Sequence, residues 1–325
     1  MAIKLKQHRV KAGLTQAELA KTVGVSQPNY QRWEAGSAPI PEDKLRKLAK
    51  ALKTKADVLL GRHPPIEAVL YDASAGEDVN YYGEVAVHFL GGGRPLLLSI
   101  SDGAFSRLHR TLQLSPAFVT VESLSNQTVI IRTQAIADLY FSSEAYGTFG
   151  PEHDDYDELD DLQMPDARDW EIVEALCNDD EIGLAEFAPE DVERVSNRVM
   201  ISDDQYAKLV ADGVIQAEDL KDEKEKNWAI TERIFALATE VSYQLTSGQR
   251  RSIAGLEPAH LFEAFGELVE CEDAVLGNPL IRLPVEGSHR IAFIHREALD
   301  YVMLPTHQFE QGRIEAVAGL LDESE

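Results

Sequence analysis

The segment from Gly24 to Gly36, reading Gly-Val-Ser-Gln-Pro-Asn-Tyr-Gln-Arg-Trp-Glu-Ala-Gly and preceded by Gln16 and Ala20, constrains the fold more tightly than any other stretch. Thr15 is placed to N-cap a helix over residues 16–23, with Glu18 in its first turn at the positive end of the dipole. Gly24 ends that helix, because glycine readily takes the left-handed conformation beyond a helix end. Ser26 is placed to cap a second helix, and Pro28 falls in its first turn, where a missing N–H costs little. Leu19, Ala20, Val23, Val25, Tyr30 and Trp33 then face inward at helical spacing, leaving Gln27, Asn29, Gln31 and Arg32 on the outer face. The pattern predicts two short helices joined by a tight turn.

Gln16-x-x-x-Ala20-x-x-x-Gly24-Val25-Ser26, followed by Tyr30 and Trp33-Glu34-x-Gly36, resembles the DNA-binding domain of lambdoid repressors and Cro, the XRE-type helix-turn-helix family. The resemblance covers residues of about 3–61 and implies five short helices, approximately 3–12, 16–23, 27–35, 41–52 and 56–60. It implies that Gln16 contacts a phosphate and that Gln27 reads a base edge, where glutamine suits adenine. Pro28, Asn29, Gln31, Arg32 and Ser37 complete the DNA-facing set it implies. Pro28 departs from the pattern, since relatives often carry a polar reader there, and so does Tyr30, where an aliphatic residue is usual. Arg9 and Glu34 match the family's partly buried ion pair and take a structural role.

Charge divides the chain. Residues 1–62 carry 13 Lys and Arg against 5 Asp and Glu, whereas the whole chain carries 31 against 56. A basic head on an acidic body is the distribution expected when only the head approaches phosphates. The body would repel DNA, which favours a regulatory or assembly role for it.

The 325 residues, 44% of them hydrophobic, suffice for more than one core. Cys177 and Cys271 lie far apart without CxxC spacing, which points to a reducing compartment and no zinc framework. No apolar run of membrane-spanning length and no signal peptide is visible, so a cytoplasmic protein is expected, and the resemblance to prokaryotic repressors implies a bacterium or its phage, with the protein associated with the nucleoid.

The expected organisation is multidomain: an all-α five-helix head at 1–62, a linker at 63–65 containing Pro64 and Pro65, and an α+β region beyond. That region divides into a strand-rich part at 66–150, an acidic linker at 151–169, a helical segment at 170–270 and a strand-rich segment at 271–325 that packs with 66–150. Gly91-Gly92-Gly93 reads as a hairpin turn, since no Gly-Lys-Ser/Thr follows it. Asp154, Asp155, Asp157, Glu158, Asp160 and Asp161 lack the spacing of a calcium loop. The row Ile230, Ile234, Leu237, Ala238, Val241 and Leu245 predicts one helix. Residues 128–141 can be laid against 291–304, each reading as strand, short polar turn, strand. This echo is distantly similar to the final strands of Sm-like small barrels and suggests a duplicated β unit whose open edges seek partners.

The composite reading is a sequence-specific transcriptional regulator, a repressor that binds a palindromic operator on double-stranded DNA as a homodimer. The acidic region would serve dimerisation or would sense a protein or small-molecule effector. An antitoxin-like regulator is one alternative. A self-cleaving repressor is another, because Tyr71-Asp72-Ala73-Ser74-Ala75-Gly76 looks like an Ala-Gly cleavage segment. A serine–lysine peptidase needs a nearby lysine, and none occurs between Lys55 and Lys208. His88, His109, His153, His260, His289, His295 and His307 are scattered, so no catalytic residue, metal site, cofactor or membrane partner is expected.

Overall fold

A computed structural model describes residues 4–70, 72, 74–143, 162–270, 278–285 and 290–323. Tyr71 and Ala73 of the Ala-Gly segment, the acidic run from Glu152 to Asp161, and Cys271 lie outside the described residues.

Five helices form the head: α1 (Leu5–Lys11), α2 (Gln16–Val23), α3 (Gln27–Glu34), α4 (Glu42–Ala51) and α5 (Ala56–Leu59). Thr15 closes a full capping box, its hydroxyl accepting from Glu18 N–H at 3.1 Å while its own N–H donates to the Glu18 carboxylate at 2.9 Å. Gly24 is left-handed at φ 72°, as the turn requires. Ser26 is extended at the N-cap of α3 without a side-chain bond to the helix, so Pro28 and packing fix that start instead. Leu45 and Leu48 of α4 and Leu52 just beyond its end meet Leu5, Leu19, Val23, Tyr30 and Trp33 in a single core.

Beyond the head, β1 (Val69–Leu70) runs parallel to the start of β2 (Asn80–Phe89). β2 turns through Gly92 and Gly93, both at positive φ, into β3 (Leu96–Ser101). Ser101 then caps α6 (Asp102–Leu114), accepting from Ala104 N–H. A second hairpin follows, β4 (Phe118–Glu122) and β5 (Gln127–Arg132), then a 3₁₀ turn (Thr133–Ala135) and β6 (Ile136–Ser143), which returns to pair with β2.

Residues 162–166 differ from the expected acidic linker. Met164 and Asp166 are buried, and Trp170 Nε1 donates to Met164 O at 2.6 Å. This strap leads into α7 (Ala167–Cys177), α8 (Glu181–Leu184), α9 (Pro189–Val199), α10 (Asp203–Ala211) and α11 (Leu220–Thr239). Trp170, Ile172, Val195, Ile234 and Ala238 form their shared core.

The expected helix through Leu245 stops at Thr239. Val241 and Leu245 belong to β7 (Glu240–Leu245), because Val241 and Tyr243 are buried on one face of an extended segment that β8 (Arg250–Ala254) flanks. Then come α12 (Pro258–Glu270), β9 (Leu280–Val285), β10 (Arg290–His295), a 3₁₀ turn (Arg296–Ala298) and β11 (Leu299–Pro305). The expected strand-rich C-terminal segment closes instead with α13 (Thr306–Glu323). Gly312 lets α13 cross α12 closely, since a Cβ there would stand 2.0 Å from Pro258 O.

The two β units share one order. In each, an antiparallel hairpin, a helix, a second hairpin and a 3₁₀ turn precede a closing strand that pairs with the first strand of the unit. Gln127 corresponds to Arg290, Thr133 to Arg296 and Ile136 to Leu299, the same alignment as the sequence echo. The units join where β11 pairs antiparallel with β5, giving the sheet order β4-β5-β11-β7-β8.

Candidate nucleic-acid interface

The capping box and the left-handed Gly24 hold α2 against α3, and Val25 N–H donates to Ala20 O at 3.0 Å across the turn. Lys44 from α4 braces the same turn, its ammonium donating to Val23 O at 3.1 Å and Gly24 O at 3.3 Å. Tyr30, Trp33 and Glu34 of α3 are buried, whereas Pro28, Asn29, Gln31, Arg32 and the following Ser37 are exposed and Gln27 is half-buried.

Behind this surface lies a polar chain. Arg9 Nε donates to Glu34 Oε1 at 2.7 Å, and both side chains are almost wholly buried. Burial works against the guanidinium charge, but the bonds and attraction from Glu34, helped by Asp322, win and raise the Arg9 pKa. Burial, reinforced by the Glu34 charge, pushes the Tyr30 phenol far above its usual range, so it stays a donor to Glu34 at 3.2 Å. Glu34 Oε2 also accepts from Gln16 Nε2 at 2.6 Å, and Gln16 Oε1 accepts from Gln31 Nε2 at 2.9 Å. The buried ion pair thus orients Gln16, and Gln16 orients Gln31.

Among the described residues Arg32 reaches no acidic neighbour. It donates to Asn29 Oδ1 at 2.6 Å along its own helix, while Ser37 Oγ donates to Arg32 O at 3.1 Å. The Gln27 side chain makes no hydrogen bond among the described residues.

The N-terminus of α2 is occupied. Asp322, from the last turn of α13, accepts the Gln16 backbone N–H at 2.9 Å and also accepts from Arg9 Nη1 at 3.3 Å and Nη2 at 3.2 Å. A carboxylate is well placed there, because the free N–H groups and the dipole of a helix start attract anions. Sequence reading missed Asp322, since nothing local marks a partner so distant in the chain.

Further contacts tie head to body. Lys4 pairs with Glu171 of α7. Arg168 donates to Gly61 O at 3.0 Å and His63 O at 2.9 Å, and Ile66 N–H donates to Asp166 at 3.0 Å. The residues about Pro64 and Pro65 are therefore strapped to the start of α7. His307 is buried between Asn126 and Glu174, with Nε2 2.9 Å from the Glu174 carboxylate. Among the described residues no cluster of ligating side chains could hold a metal ion, and no helix is long and apolar enough to cross a membrane.

A helix-turn-helix family model matches residues 5–59 and leaves the C-terminal region unassigned. No curated protein and no solved structure matches the chain.

Proposed function

We propose, from the premise that residues 5–59 are an XRE-type helix-turn-helix domain, that the protein is a dimeric, sequence-specific repressor of transcription. The observation that carries the reading is the outward row on α3. Gln27 is unengaged at its start, Gln31 is oriented through Gln16, and all of them lie beside a helix N-terminus that already accepts an anion. An α3 laid in the major groove would present Gln27 to an adenine edge, with Asn29, Gln31 and Arg32 following along the groove wall and Pro28 adding only apolar contact. Ser37 and the N-terminus of α2 would meet phosphates on either side.

In this reading Asp322 stands where a phosphate would bind. Operator and α13 then compete for the Gln16 N–H, so the docked body restrains the head. A cleft of about 580 Å³ between head and body, lined in part by Lys4, His63, Arg168, Glu171 and His307, offers an effector a place to alter that restraint.

Selection of bound duplexes from a random pool by the full chain tests the reading. The expected product is one enriched motif in two inverted halves, with centres about one helical turn apart. A reporter carrying that motif across its promoter should be silenced by the protein. A pool that enriches nothing would contradict the proposal.

A further inference from the structure

The junction inside the chain fixes how a second junction would be built. At the β5–β11 pairing, side chains alternate between two cores. Val129 and Ile131 of β5 face the core of their own unit, while Ile130 packs into the core of the other. Tyr301 of β11 crosses in the opposite sense, into the core of the first unit.

The counterparts of these strands are β10 and β6, and among the described residues neither has a second strand on its outer edge. Ile130 is 1% exposed and its counterpart Phe293 is 59% exposed. Thr128 is 2% exposed and its counterpart Ile291 is 47% exposed. Tyr140 of β6, the counterpart of Met303, is 39% exposed. By contrast, Ala292 and Ile294 of β10 pack into their own unit, as Val129 and Ile131 do in theirs. Phe293 and Tyr140 thus occupy the positions of Ile130 and Met303, which at the existing junction pack into the opposite unit, whereas the counterpart of Tyr301 is Asp138.

We propose that β10 of one copy pairs antiparallel with β6 of a second copy of this chain, repeating between molecules the β5–β11 junction within each. The register follows from the internal one, where Val302 lies opposite Ile130 and Pro305 opposite Gln127. Leu139 then faces Phe293 of the second copy, Tyr140 faces Ala292, and Ser142 faces Arg290. Phe293 enters the first-unit core beside Leu139, and Tyr140 enters the second-unit core beside Ala292. The contact joins two different surfaces, so it adds copies head to tail and closes into a ring when the rotations complete a turn, two copies exchanging both edges being the smallest closed form.

This deepens the assembly part of the proposed function and does not depend on DNA recognition. The test uses the full chain with Cys177→Ser and Cys271→Ser. A preparation carrying Ser142→Cys is mixed with one carrying Arg290→Cys and mildly oxidised. A disulfide-linked pair should form in the mixture and in neither preparation alone, because directly opposed residues on antiparallel strands are within disulfide reach. In sedimentation, Phe293→Asp should weaken self-association by about tenfold or more while leaving the circular dichroism spectrum unchanged. Self-association that survives Phe293→Asp without the cross-link rejects these edges and leaves a dimer held elsewhere. A full chain that sediments as a monomer at micromolar concentration, its edges covered by its own segments or by another partner, rejects both this junction and the dimeric reading.

Discussion

Asp322 accepts the backbone N–H of Gln16 at 2.9 Å, and that contact joins the last helix of the chain to the first turn of α2. In the proposed function that N–H lies where a DNA phosphate would be held, so one atom pair would link the acidic body to the recognition of nucleic acid. The same carboxylate lies against Arg9, whose guanidinium keeps Glu34 as its closer partner.

Removing the Asp322 charge should strengthen DNA binding. In Asp322→Asn the anion leaves the α2 N-terminus, a change worth about 0.3–1 kcal/mol at a partly exposed helix end. Fluorescence anisotropy at constant salt should show tighter binding by a few fold on specific and random duplexes alike. Unchanged or weaker binding on both would show that α13 does not compete with phosphate.

The Arg9–Glu34 pair predicts an asymmetry between single and double substitutions. Arg9→Met alone leaves the buried Glu34 carboxylate with only Tyr30 and Gln16, and should cost about 3–5 kcal/mol of stability. Arg9→Met with Glu34→Leu should recover much of that loss in thermal unfolding, yet bind operator weakly, because Gln16 and through it Gln31 lose their orienting partner. A double variant with full DNA affinity would mean that the polar chain behind α3 serves stability alone.

Two glycines of α13 should respond in opposite directions. Gly312→Ala drives a Cβ onto Pro258 O and should destabilise by about 1–3 kcal/mol, since the helix crossing must open. Gly319→Ala meets nothing within 4 Å and should stabilise by roughly 0.5–1 kcal/mol through the entropy of the unfolded chain. Equal effects in chemical denaturation would remove the close α12–α13 crossing from the account.

The head was legible because its determinants are local. Thr15 and Glu18 bond across three residues, Gly24 needs only its own φ, and Tyr30 and Trp33 share a face by helical spacing. The duplicated β pattern was legible for the same reason, as strand, polar turn and strand lie in one short stretch of each unit. Val241 and Leu245 misled because a spacing of four also keeps residues on one face of a strand, and pairing with β8 and β11, not period, decided between them. Met164 and Asp166 looked like part of an acidic linker because their partners, Leu124, Trp170 and Ile66, come from other parts of the fold or depend on α7 being placed. Asp322 left no trace at all, since only the docking of α13 on α1 brings it to Gln16.

The central claim is that α3 reads bases through Gln27, and Gln27→Ala compared on two duplexes tests it most directly. Anisotropy titrations of the full chain and the variant would use the selected motif and a scrambled duplex of equal length at one salt concentration. The account predicts a loss of about 1–3 kcal/mol on the motif and little change on the scrambled duplex, because a bidentate base contact vanishes while phosphate contacts remain. Equal loss on both duplexes, or no loss on the motif, would contradict it.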